Sequence, residues 1–241
     1  MQFMRFIFDV DGTLTPSRQR IDAGFEKYFM DFCEDNEVYF VTGSDRKKTI
    51  QQLGEEIYNR AVRVYNCSGN SVWEQDELVH AKHWDVPSDL IDFLIKRMRM
   101  TLFDTKHWAG HHIEFRPGCL NFSVVGRKAD WFYRQKYIKY DEMYHERTNI
   151  ANDINFIFSD LTATVGGETG IDIYPKGWDK SQVLDMHFED CSDVCFFGDK
   201  LEEGGNDHTI AEGVVERGGR SFAVSDYKDT WDTLLSLKTP V

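Results

Sequence analysis

No apolar run in this 241-residue chain is long enough to span a bilayer. The opening Met1–Val10 is too short, and reaches Asp9 too soon, for a signal peptide. Positive charge is in deficit: 28 Lys and Arg against 41 Asp and Glu give a net charge of −13, which argues against nucleic acid or an anionic membrane as a general partner. Internal repeats and low-complexity tracts are absent. The five cysteines (Cys33, Cys67, Cys119, Cys191, Cys195) show no metal-type Cys-x-x-Cys spacing and read as free thiols of a reducing, cytoplasmic environment. The eight histidines include His80 with His83 and His111 with His112, but no Cys or carboxylate pattern completes a zinc site. What remains, 41% hydrophobic and 29% charged, is ordinary for a soluble globular protein of one domain or two small ones.

The most informative stretch is Phe6-Ile7-Phe8-Asp9-Val10-Asp11-Gly12-Thr13-Leu14-Thr15. The apolar run from Phe3 to Phe8 predicts a buried strand of a parallel sheet, closed by two carboxylates and a glycine turn. Carboxylates just beyond such a strand lie where open α/β sheets bind ligands. Strand alternation would point Asp9 and Asp11 the same way, so that together they could hold a hard cation through oxygen. One could then attack phosphorus while the other moves a proton.

Strand and helix signals alternate from there. Ile21, Phe25, Tyr28, Phe29 and Phe32 predict an amphipathic helix, Val38–Val41 a second buried strand, residues 46–57 a helix, and Arg63–Tyr65 a third strand. From about Lys82 the pattern changes to a helix after Pro87, a hairpin of His112–Arg116 and Leu120–Val125, a broken helical stretch over 129–158, and strands at Thr162–Val165 and Ile171–Tyr174. The parallel pattern returns with a helix after Lys180, strands Val194–Asp199 and Ser221–Val224, and a last helix carrying Trp231, Leu234 and Leu235. The expected architecture is α/β: a discontinuous Rossmann-like core of residues 1–81 and 176–241, with an α+β cap inserted over 82–175. Asp199 ends its strand as Asp9 does, so adjacent parallel strands would bring both to one sheet edge, where Lys180 could neutralise the nucleophile and the phosphoryl group.

Asp9-Val10-Asp11-Gly12-Thr13 resembles the signature of the haloacid dehalogenase superfamily of phosphotransferases. Longer matches narrow the likeness. The segment from Phe115-Arg116-Pro117-Gly118 to Gly126-Arg127, Gly177-Trp178-Asp179-Lys180, and Gly198-Asp199-Lys200 with Gly204-Gly205-Asn206-Asp207-His208 resemble, in order, the motifs of eukaryotic-type phosphomannomutases. Gly43-Ser44-Asp45 and Pro16–Gln19 also fit, and the likeness runs through nearly the whole chain.

The resemblance implies that Asp9 is phosphorylated and that Asp11 is the general acid and base. It implies magnesium held by Asp9, the main-chain carbonyl of Asp11, Asp199 and Asp207. Ser44 or Thr42 would bind the phosphoryl group together with Lys180, and Arg18, Arg116, Arg127, Arg134 and Asp172 would bind a hexose phosphate substrate. It further implies a hexose 1,6-bisphosphate activator, interconversion of mannose 1-phosphate and mannose 6-phosphate, and a homodimer joined through the cap. Arginine suits the second anion site because its fork binds phosphate in bidentate fashion and stays charged. Gly170 stands where the family has a serine and Thr42 where it has a glycine, departures that favour the alternative of a sugar-phosphate phosphatase on the same fold.

Overall fold

The computed structural model describes residues 4–238. β1 (Arg5–Phe8) buries Phe6, Ile7 and Phe8; Phe3, where the strand was expected to begin, lies outside the described residues. α1 (Ala23–Asp35) starts at Asp22, whose carboxylate accepts the N–H groups of Gly24 and Phe25, and it buries Phe25, Phe29, Phe32 and Cys33 along one stripe. β2 (Glu37–Val41) follows.

The single helix expected over 46–57 is instead two, α2 (Arg46–Leu53) and α3 (Glu55–Arg60). They part at Gly54, whose φ of 86° is left-handed and where a Cβ would fall 2.8 Å from the Arg20 guanidinium. β3 (Arg63–Asn66) is followed by β4 (Ser71–Glu74) and β5 (Glu77–Ala81), an antiparallel hairpin that the sequence reading did not anticipate. All five residues of β5 are exposed, so no apolar alternation marks it.

The chain then builds α4 (Ser88–Met100), β6 (Ile113–Arg116), β7 (Cys119–Phe122), α5 (Trp131–Tyr144), α6 (Glu146–Ile157), β8 (Leu161–Gly166) and β9 (Gly170–Pro175). The hairpin's second strand stops at Phe122, short of the expected Val125, because Ser123 to Arg127 turn back to bond His111, His112 and Ala109. The last elements are α7 (Gln182–His187), β10 (Val194–Gly198), α8 (His208–Glu216), β11 (Arg220–Ala223) and α9 (Tyr227–Lys238); α8 was likewise not anticipated.

Two compact units result, one running to Lys82 and resuming at Gly177, the other His83–Lys176. The first holds a seven-stranded sheet in the order β11-β10-β1-β2-β3-β4-β5, parallel from β11 to β3 and antiparallel beyond. Alternation sorts its side chains into two cores. Phe6, Phe8, Phe40 and Phe197 pack with Phe25, Phe29 and Phe32. Ile7, Tyr39, Val41 and Phe196 pack with Val183, Leu184, Ile210 and Val214. Each buried Phe contributes roughly 1.5–3 kcal/mol, so β1 and β10 are firmly held where they deliver their terminal carboxylates.

In the second unit a four-stranded antiparallel sheet, β6-β7-β9-β8, packs Leu120, Phe122, Ile171 and Ile173 on Leu90, Leu94, Tyr137, Ile150 and Ile154 of the helices. In the first unit Lys82 Nζ donates to Gln182 Oε1 at 2.6 Å and lies 4.3 Å from the Trp178 ring centroid, so the points where the chain leaves and rejoins this unit are tied side by side. Among the described residues no helix is long and apolar enough to cross a membrane, and all five cysteines are buried without disulfides.

Candidate active site

β1 and β10 run parallel as neighbours, and the Asp9 N–H extends their pairing by donating to Phe197 O at 2.9 Å. Asp9 and Asp199 therefore emerge at the same sheet edge. Asp207, at the start of α8, joins them: the three carboxylates offer oxygens that all lie within 4.8 Å of one another. Gly12 permits the approach, because a Cβ there would fall 2.7 Å from the Asp199 carboxyl carbon. Lys180, with 1% of its side chain exposed, donates to Asp9 Oδ1 at 2.5 Å and to Asp207 Oδ1 at 2.6 Å.

Three acids thus face one ammonium. Burial raises the Asp9 pKa against the pull of Lys180, and the negative charges of Asp207 and Asp199 push it further up. Burial and Asp207 raise Asp199 as well. Lys180 stays charged, because Asp207 and Asp9 outweigh its desolvation. A buried oxygen cluster with excess negative charge is a chemical match for a divalent hard cation, so these residues fit magnesium.

The Asp11 carboxylate lies outside this group. β1 ends at Phe8, and the chain turns through a bridge between Asp11 and Thr15, so the alternation that would align Asp11 with Asp9 does not continue. Asp11 Oδ1 accepts from the Arg18 N–H at 2.9 Å and Gln52 Nε2 at 3.0 Å; Oδ2 accepts from Ser44 Oγ at 3.1 Å and Lys48 Nζ at 2.7 Å. Burial opposes ionisation here, but Lys48 and the other donors hold the carboxyl down to about 2.

Lys48 and Gln52 were absent from the sequence-derived candidates. Their signal is the i, i+4 spacing of Lys48 and Gln52, which sets both on one face of α2, with Ser44 four residues ahead of Lys48 in the turn that leads into the helix. Lys48 Nζ also donates to Ser44 Oγ at 2.8 Å. Thr42 is turned inward, its Oγ1 accepting the Ser44 N–H at 3.1 Å.

The cap candidates cluster within the second unit. The register of its sheet sets Glu114, Asn121, Asp172 and Thr164 in one transverse row. Arg116 pairs with Glu114, its Nη1 lies 3.7 Å from Asp172 Oδ1, and Arg127 Nε lies 3.3 Å from Glu114 Oε2. Arg134 pairs with Glu168 at 2.7 Å. Asn121 Nδ2 donates to Asp172 Oδ1 at 2.6 Å, while Asn121 Oδ1, Ser123 Oγ and Thr169 Oγ1 are buried without partners. Glu114, Glu168 and Asn121 were not among the sequence-derived candidates; the register across the sheet picks out Glu114 and Asn121, and no sequence pattern marks Glu168.

A sequence profile of the eukaryotic phosphomannomutase family matches residues 25–237. The chain belongs to that family. It is 32% identical over 214 residues to a phosphomannomutase of Dendrobium officinale, covering 86% of this chain and 84% of that one. It is 33% identical over 215 residues to a phosphomannomutase of Arabidopsis thaliana, covering 86% of each. Among solved structures, a haloacid dehalogenase-like hydrolase from Bacteroides thetaiotaomicron superposes with a TM-score of 0.62 at 13% identity, over 98% of this chain and 100% of that one, a likeness of fold. The phosphomannomutase match includes Lys180, Asp199, Asp207 and the three cap arginines, whereas Asp9, Asp11 and Arg18 precede it.

Proposed function

We propose that the protein is a hexose phosphomutase that interconverts mannose 1-phosphate and mannose 6-phosphate through a phosphorylated Asp9. The observation that carries this reading is the pairing of two anion-handling clusters in a phosphomannomutase-family chain. The core has buried Asp9 against Lys180 beside Asp199 and Asp207; the cap has Arg116, Arg127 and Arg134. A hexose bisphosphate carries two phosphates, and a mutase must manage both.

In the proposed cycle a hexose 1,6-bisphosphate first donates a phosphoryl group to Asp9. One Asp9 oxygen bonds to phosphorus, the bond from phosphorus to the departing sugar oxygen breaks, and that oxygen is protonated through Asp11, which Lys48 holds ionised in the free protein and which must first take the proton from solvent. In the reverse half Asp11 takes a proton from the attacking sugar hydroxyl, and the phosphoryl group passes from Asp9 to that oxygen. Magnesium, held by Asp9, Asp199, Asp207 and the Asp11 carbonyl, would neutralise charge on the transferring phosphoryl oxygens. Lys180 offsets the charge of Asp9, Ser44 donates to a phosphoryl oxygen, and Arg18, the cap arginines and Asp172 hold the rest of the substrate.

The test is incubation with mannose 1-phosphate, magnesium and a hexose 1,6-bisphosphate, following mannose 6-phosphate and inorganic phosphate together. Mannose 6-phosphate should dominate. In Arg127→Ala the ratio of mannose 6-phosphate to inorganic phosphate should fall about tenfold or more, since a charge-assisted fork to the second phosphate is lost. Release of inorganic phosphate alone by the parent would replace the mutase with the sugar-phosphate phosphatase, the reading that Gly170 favours by lacking a hydroxyl.

We also propose a homodimer joined through the cap, supported by the exposed apolar side chains Trp131, Phe132, Phe156 and Ile157 on its helices. Sedimentation of the full chain should give twice the 28.1 kDa monomer mass; a single 28.1 kDa species would exclude the dimer.

A further inference from the structure

We propose that Glu168 is a built-in competitor for the anion site of the cap, holding Arg134 until an incoming phosphate displaces it. This rests on the reading of Arg116, Arg127 and Arg134 as the holders of the non-reacting phosphate.

Three guanidinium groups in the cap face three carboxylates, Glu114, Asp172 and Glu168, so the cluster carries no standing excess of positive charge. The three carboxylates are not equivalent. Glu114 lies on β6 and serves two cations, bonding Arg116 through both Nε and Nη2 and lying 3.3 Å from Arg127. Asp172 lies on β9, braced by the Asn121 amide. Both belong to the transverse row of the sheet, so Arg116 is framed by strand residues.

Glu168 sits instead in the turn between β8 and β9 and accepts from Arg134 Nη2 at 2.7 Å. Its side chain is 43% exposed, whereas that of Arg134 is 11% exposed. The turn backbone is held, because Arg147 Nη1 donates to Gly167 O at 3.0 Å and Arg147 is itself paired with Asp141. The backbone is thus anchored while the carboxylate has water to move into.

A half-exposed carboxylate on a well-buried guanidinium is the exchangeable partner of the set. Phosphate can replace it, since a dianion offers the fork more acceptor oxygens and more charge. Arg134 also lies close enough to matter to its neighbour: after burial and Arg116, its charge helps to lower the Arg127 pKa. Removing the charge of Glu168 would therefore leave Arg127 and Arg134 as a pair in need of an anion. Glu168 makes the site favour a doubly charged phosphate over weaker anions, at some cost in affinity for every ligand.

The experiment measures mannose 6-phosphate binding to the full chain by calorimetry, and KM and kcat for mannose 1-phosphate, in the parent, Glu168→Gln, Arg134→Ala and the double variant. Glu168→Gln should tighten binding and lower KM about three- to tenfold, the range expected from releasing a partly exposed ion pair. The tightening should vanish when Arg134→Ala is added. Glu168→Ala serves as a second probe should the glutamine variant lose thermal stability. Unchanged or weaker binding in Glu168→Gln, with Arg134→Ala still weakening it, overturns the competitor alone. Tightening that survives Arg134→Ala also overturns it. If neither single variant alters binding, the cap arginine reading itself fails.

Discussion

Asp9→Asn should abolish turnover and leave the fold almost untouched. An amide is a far poorer nucleophile and removes a charged oxygen from the cation cluster, so kcat should fall by roughly a thousandfold or more. Stability should hold because Lys180 keeps Asp207 at 2.6 Å, and one of three crowded negative charges disappears. The melting temperature should stay within a few degrees, on the order of 1 kcal/mol of stability. Acid-quenched enzyme incubated with labelled hexose bisphosphate should carry the label on Asp9 in the parent and none in the variant. Label on any other residue would remove Asp9 from the nucleophile's role.

Lys180→Met, at the other end of the same ion pair, should behave in the opposite way. Methionine fills a similar volume but leaves Asp9, Asp199 and Asp207 facing one another with the cluster's buried ammonium gone. Stripping the partner from a buried charge costs roughly 3–5 kcal/mol. At roughly 2–4 °C per kcal/mol for a chain of this size, the melting temperature should drop by on the order of 10 °C. Turnover should be lost as well. Magnesium should restore part of the melting temperature and none of the activity, since a cation can offset the carboxylates without replacing the ammonium's contact with the reacting group. A variant melting with the parent in metal-free buffer would show that Lys180 is not the counter-charge of the cluster.

The parallel core was legible because Phe6–Phe8, Val38–Val41 and Val194–Phe197 are uninterrupted buried runs with polar or glycine-rich ends. Runs this short, rich in Phe and Val and closed by such ends, fit strands covered on both faces. The hairpin of β4 and β5 was not legible, because an exposed edge strand has no burial to impress a pattern on its sequence. The break at Gly54 carried a local signal that the pattern of apolar residues overrode: a glycine inside a helical stretch is a candidate helix end, and its left-handed φ of 86° makes it one.

Much the same division applies to the candidate site. Asp9, Asp199 and Asp207 stand out because each follows a strand or sits in a glycine-rich loop. The surroundings of Asp11 stand out less: Ser44 was a candidate for another role, and only the packing of α2 reveals that Lys48 and Gln52 face a carboxylate. Of the carboxylates that hold the cap arginines, Asp172 was named through the family resemblance, whereas Glu114 was not, since it joins the row of Asp172 only through the register of β6, β7 and β9.

The seam between β1 and β10 sets an order of events during synthesis. Phe8 pairs with Phe197, and Lys180 and Asp207 meet Asp9 from the far end of the chain. A ribosome-bound chain can assemble α1, β2 and β3 early, and the insert's contacts are complete once Lys176 has emerged. The strand that delivers Asp9 must meanwhile wait with one edge unpaired. Closing so long a loop costs little more stability than closing a shorter one, because the entropic cost grows only logarithmically with length. The delay lies in the search, since high contact order slows folding and leaves an apolar edge available to other chains. Asp9 is therefore made well before its surroundings: a nascent chain carries it without its buried counter-charge until Lys180, Asp199 and Asp207 have been synthesised.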